Sequence, residues 1–137
     1  MPGNTSPIFS KIAHVEWANG ISAANTAKDG TGTVDTVFTA DATNGSYLQK
    51  LVVRPRGANV ASVLRVFLNN GSANSTAANN ALIAEVSLPA TANSEVASVA
   101  GNELPLNIPV PPGYRVHVAL GTAVAGGYVV TAFGGDY

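Results

Sequence analysis

The sequence predicts an all-β domain, an antiparallel jelly-roll β-sandwich of about eight strands. Short stretches of alternating or β-branched apolar residues recur along the chain, separated by Gly, Pro and Asn turn signals. No stretch of a dozen residues keeps a 3.6-residue period with caps at both ends. The 137 residues suit one domain with a real core. Two sheets folded over that core are the arrangement such a pattern fits best.

Residues 1–11 are rich in Pro, Gly, Asn and Ser, carry one apolar pair, Ile8 and Phe9, and read as an N-terminal arm. The sandwich domain is expected over residues 12–137. Residues 12–17 (IAHVEW) form the first strand and end at the favoured turn pair Asn19-Gly20. The Ala-rich residues 21–28 have room for a helical turn only. Residues 34–39 form a second strand, with Val34, Thr36 and Phe38 on one face and Asp35, Val37 and Thr39 on the other. Residues 47–54 (YLQKLVVR) and 60–68 (VASVLRVFL) are the strongest strands, separated by a Pro-Arg-Gly-Ala-Asn loop. Both faces of residues 60–68 carry apolar side chains, which predicts burial on more than one side.

Residues 69–80 (NNGSANSTAANN) are polar and of low complexity, and a connection of that length predicts function or mobility. A strand over 81–88 follows, then a weaker one over 95–104. Pro105, Pro109, Pro111 and Pro112 punctuate the next segment, because proline is confined to edges, bulges and strand starts. In residues 114–120 Tyr114, Val116, Val118 and Leu120 are expected inward, with Arg115, His117 and Ala119 outward. Residues 127–133 (GYVVTAF) form the last strand.

Composition excludes several functions. Seven Lys and Arg against eight Asp and Glu leave a net charge of -1, so no electrostatic footprint points to nucleic acid or to an anionic membrane. Only 11% of the residues are charged, where an average soluble domain has about a quarter. The strands carry little of that charge, so their surfaces are expected to pack against copies of the chain and against a partner. Cysteine is absent, which removes a disulfide framework and thiolate metal sites. No apolar run approaches the roughly 18 residues of a membrane helix, and the N-terminus lacks the basic-then-apolar pattern of a signal peptide. The chain is expected to be made in a cytoplasm.

Catalytic chemistry finds little footing. His14 and His117 have no partner at metal-ligand spacing and read as solvent-facing or interface strand residues. Asp29, Asp35 and Asp41 recur every six residues, a spacing better explained by turn hydrogen bonding than by calcium. No pair of the remaining acids is singled out for glycosidase work. A nucleophile elbow and a phosphate loop are both missing. Asn44-Gly45-Ser46, Asn70-Gly71-Ser72 and Asn74-Ser75-Thr76 match the glycosylation pattern as chance products of an Asn-rich composition. The expectation is a non-enzyme without metal or cofactor. Interface candidates are Arg54, Arg56, Arg65 and Arg115, since Arg suits planar ion pairs and stacking, and the apolar pair Ile8 and Phe9. Trp17 is expected in the core.

Between Val60 and Ala92 the strings Arg-Val-Phe-Leu-Asn-Asn-Gly-Ser and Ala-Ala-Asn-Asn-Ala-Leu-Ile-Ala-Glu-Val-Ser-Leu-Pro-Ala-Thr resemble small virion proteins of tailed bacteriophages. So do Val37-Phe38-Thr39-Ala40-Asp41-Ala42 and Pro111-Pro112-Gly113-Tyr114-Arg115-Val116. Some of these are capsid decoration, or cement, proteins with a jelly-roll fold. The resemblance implies a homotrimer on the outer capsid surface that bridges subunits of the major capsid protein. The arm, which the resemblance does not cover, is expected to dock through Ile8 and Phe9 on a neighbouring subunit or on the shell. A head-fibre or tail-associated protein and a carbohydrate-binding module are the alternatives.

Overall fold

The computed structural model describes residues 10–137. Eight strands carry the chain: β1 (Ile12–Ile21), β2 (Asp35–Thr39), β3 (Ser46–Pro55), β4 (Ser62–Asn69), β5 (Asn80–Leu88), β6 (Asn102–Val110), β7 (Arg115–Leu120) and β8 (Tyr128–Asp136). Each pairs antiparallel with its mirror in the sequence: β1 with β8, β2 with β7, β3 with β6 and β4 with β5. Two further pairings, β3 with β8 and β4 with β7, knit these ribbons into sheets ordered β1-β8-β3-β6 and β2-β7-β4-β5. That strand order is a jelly roll, the predicted fold.

Alternation explains most of the core, and a register shift between Leu48 and Lys50 lets both Leu48 and Leu51 of β3 turn inward. Leu48, Leu51 and Val53 of β3 and Val130 and Ala132 of β8 meet Leu64 and Val66 of β4 and Val116, Val118 and Leu120 of β7, all fully buried. Burying each large aliphatic side chain contributes roughly 1.5–3 kcal/mol. β2 adds both Val37 and Phe38, which strict alternation would send to opposite faces. A register shift between Thr36 and Phe38 turns both inward. On β8, a Cβ at Gly134 would collide with the Tyr47 carbonyl oxygen, so glycine is required where β3 crosses most closely.

Three expectations are corrected. The Asn19-Gly20 pair does not end β1; it forms a bulge between Ala18 and Ile21, with Gly20 at φ 72°, and the strand runs on. Residues 21–28 contain no helical turn, and Ala24 bridges to Leu120 instead. The strand predicted over 95–104 lies at Asn102–Val110 and includes Pro105 and Pro109. β6 tolerates both because it is a sheet edge, where the N–H that proline lacks is not needed on the open side. A register shift opposite Leu48 and Lys50, with Asn107 at φ 51°, accommodates the kink.

Residues 69–80 form a loop with one 3₁₀ turn, Ala77–Asn79. Its asparagines bond backbone groups. Asn74 Nδ2 donates to the Gly30 and Gly32 carbonyls at 3.1 and 2.9 Å. Asn80 Nδ2 donates to those of Asp29 and Asn74 at 3.1 and 2.9 Å, and Asn69 Nδ2 donates to Asn80 Oδ1 at 2.8 Å. Asn25 closes the facing loop by donating to the Thr31 and Thr33 carbonyls. The Asn excess is therefore a hydrogen-bonding framework that supplies partners to carbonyls which no strand pairs.

Candidate interaction face

The two sheets differ in what their outer faces show to solvent. On β2-β7-β4-β5, Phe67 of β4 is fully buried although it lies outside the main core cluster, and its cross-strand partner His117 is 5% exposed. Ala119 is buried beside them. The expectation that His117 and Ala119 face solvent is thus corrected. His117 Nδ1 lies 3.0 Å from Thr36 Oγ1, and burial together with the Arg115 cation holds the imidazole below its usual range.

The outer face of β1-β8-β3-β6 is open. Trp17 on β1 is 63% exposed and Val15 45% exposed. The core position expected for Trp17 is corrected, since alternation puts His14, Glu16 and Ala18 inward and leaves Trp17 outward. Register builds two rows across the sheet: Trp17, Thr131, Val52 and Glu103 in one, Val15, Phe133, Lys50 and Pro105 in the other. Lys50 Nζ sits 3.0 Å from Glu103 Oε1 and 5.7 Å from the Phe133 ring centroid. The charges within these rows therefore neutralise each other, and an exposed Trp in an apolar neighbourhood remains.

A polar cluster closes the seam between β1 and β2. His14 packs its ring on Phe38 with centroids 4.4 Å apart, and its Nδ1 lies 2.6 Å from Asp136 Oδ1 while Nε2 lies 3.1 Å from Glu16 Oε2. Glu16 Oε2 also accepts the Thr39 backbone N–H at 2.6 Å, linking the sheets, and Ser46 Oγ donates to Asp136. The imidazole separates the two carboxylates, and among the described residues no three His, Asp or Glu side chains converge as a metal site.

Burial raises the Asp136 carboxyl, but the hydrogen bonds from Ser46 and His14 and the His14 charge outweigh it and hold the group below its ordinary value of 3.8. A depressed folded-state value means that Asp136 contributes stability above the unfolded value and loses it as pH falls through the folded one. The acid limb of stability should therefore be shallower in Asp136→Asn. Urea midpoints measured from about pH 6 to about pH 3 would check this, with parallel curves for parent and variant as the contrary result.

The other acids separate by role. Asp29 Oδ1 accepts from the Thr31 backbone and hydroxyl, and Asp41 Oδ2 from the backbone of Thr43 and Asn44, as turn residues do. Asp35 lies in β2, where burial pushes its carboxyl up.

The four arginines do not form one patch. Arg54 is on the open face at the end of β3, and Arg56 is in the following loop beside Gly20. Arg65 lies on the other sheet, its Nε 3.0 Å from Glu85 Oε1, and Arg115 begins β7. Ile8 and Phe9 lie outside the described residues. The Trp17 face escapes sequence reasoning because alternation separates two faces without saying which one is inward. The available signal is the polar inward set of β1, His14 and Glu16, which needs the Asp136 and Thr39 partners to make sense. Comparison with protein-family models, curated proteins and solved structures finds no match.

Proposed function

We propose that this chain is a structural virion protein of the capsid-decoration type, which self-associates as a homotrimer and stabilises a phage head by bridging subunits of the major capsid protein on its outer surface. The observation that carries this reading is the open outer face of β1-β8-β3-β6, with Trp17 and Val15 exposed beside Phe133 and Val52. Its occupant is a second copy of the chain. The Lys50–Glu103 ion pair leaves no unpaired charge on the β3-β6 side of the face, so a different patch of a neighbouring copy can pack on it head to tail, as a closed trimer requires. The jelly-roll strand order, common in viral capsid domains, and the phage-like strings of residues 37–42, 60–92 and 111–116 add support.

The test combines the mass of the purified protein in solution with its co-sedimentation on phage heads stripped of accessory proteins. A trimer that loads onto heads is expected. A monomer that heads ignore and a glycan array captures overturns the reading in favour of a carbohydrate-binding module. Immuno-labelling confined to the tail, rather than spread over the head, replaces decoration with a tail-associated role.

A further inference from the structure

An Asn-Gly pair is open to attack by its own backbone, because glycine carries no side chain to screen the nitrogen that follows the asparagine. The sequence holds three such pairs, Asn19-Gly20, Asn44-Gly45 and Asn70-Gly71. The fold treats them differently. Gly45 N donates to the Asp41 carbonyl oxygen at 3.1 Å, and Gly71 N donates to Asn69 Oδ1 at 2.8 Å, so both attacking nitrogens are engaged. The Asn70 side chain is also held, accepting from Ser72 N at 3.1 Å and donating to Asn79 Oδ1 at 3.2 Å.

Asn19-Gly20 falls instead in the β1 bulge, where the register passes from Ala18 opposite Val130 to Ile21 opposite Tyr128 and skips both residues. Both are exposed. A guanidinium nitrogen of Arg56 stands 3.6 Å from the point a Cβ on Gly20 would occupy. A cation there stabilises the amide anion that attacks and the oxyanion that follows.

We propose that Asn19 is a site of spontaneous backbone-assisted deamidation. Gly20 N gives its proton to hydroxide and bonds to Asn19 Cγ; the tetrahedral adduct takes up a proton and expels the side-chain nitrogen as ammonia, leaving a succinimide. Water then adds to one of the two ring carbonyls. Breaking the ring's bond between Cγ and nitrogen restores the ordinary backbone with aspartate, while breaking the bond between the main-chain carbonyl carbon and nitrogen leaves isoaspartate. Water is the sole co-reactant, and nothing is oxidised or reduced.

Asn19 is exposed two residues beyond Trp17 on β1. Each conversion therefore adds a negative charge beside Trp17, and the isoaspartate product also lengthens the backbone of an edge strand. The effect on assembly rests on the docking reading above; the chemistry does not.

The experiment holds the folded protein at mildly alkaline pH and maps conversion at all three pairs, with a parallel sample in urea. Asn19 is expected to convert about fivefold or more faster than Asn44 and Asn70, because Asn19 and Gly20 are both exposed in an irregular stretch of an edge strand whereas Gly45 is buried and the Asn70 side chain is held at both ends. In urea the three rates should converge, and Arg56→Gln should slow Asn19 alone. Conversion at Asn19 no faster than at the other two in the folded protein overturns the proposal. Asn19→Asp, a mimic of one product, reads the consequence separately: assembly equal to the parent's counts against the docking face and leaves the modification site standing.

Discussion

Replacing Asn59 with alanine is expected to cost about 2–3 kcal/mol of stability, roughly 10 °C in Tm for a domain of this size. Asn59 is buried where three connections meet at one end of the sandwich. Its Oδ1 accepts from Gly127 N at 2.8 Å, and its Nδ2 donates to the Gly127 and Gly57 carbonyls at 3.2 and 3.3 Å. Its backbone exchanges hydrogen bonds with Thr91 in both directions.

Alanine keeps the Thr91 bridge, and the two carbonyls keep other donors, Arg56 N for Gly127 and Thr91 Oγ1 for Gly57. What it orphans is the buried Gly127 N–H, in addition to removing the packing of the amide. Asn59→Asp retains the acceptor for Gly127 N but turns a carboxylate toward two carbonyl oxygens, so it should be at least as damaging near neutral pH and recover as the solution is acidified. Urea unfolding of both variants measures this. An alanine variant within about 0.5 kcal/mol of the parent, the range of an ordinary surface change, would show that the three connections hold without the amide.

Trp17→Glu should abolish self-association while leaving the fold intact. The indole is largely exposed, so its removal from the isolated domain falls in the small range typical of surface substitutions. At an interface the same truncation acts on an anchor of the most energetic class, worth about 2 kcal/mol or more, roughly thirtyfold in affinity at each subunit boundary. The introduced carboxylate adds a buried charge without a partner. Sedimentation reads assembly and urea unfolding reads the fold. Val96→Ser is the control, because Val96 is 97% exposed in the connection between β5 and β6 and is not part of either row that carries Trp17 and Val15. Trp17→Glu assembling as the parent does, or Val96→Ser dissociating instead, would move the interface elsewhere.

How much of this is legible in the sequence depends on the distance over which each feature is determined. β4, β7 and β8 follow from alternation because their inward residues meet a large core and period two survives, while β3 keeps that period only on either side of the break between Leu48 and Leu51. β6 is hidden because Pro105 and Pro109 are turn signals locally, and only its position as an edge permits them in a strand. Leu104, Leu106, Ile108 and Val110 do alternate, and that period is the available clue. The Asn framework leaves no periodicity at all, since Asn74 and Asn80 find their partners in the 29–32 loop, more than forty residues away. The open face is misplaced for a related reason. Trp17 reads as core filler because aromatics usually are, and only the partners of His14 and Glu16 across the seam decide which side of β1 turns inward.

Pairing each strand with its mirror in sequence also dictates an order of folding. β4 and β5 are joined by the shortest loop among the mirror pairs, so they close at the lowest entropic cost, and the remaining pairs can zip outward from that hairpin. Of these eight strands β8 is made last, yet it sits inside its sheet, between β1 and β3. During synthesis β1 has no neighbour in its own sheet until β8 has emerged, and β3 has only one. Val15 and Trp17 spend that interval on an unpaired strand, so the stretch this protein leaves open when folded is also among the last to be secured on the ribosome.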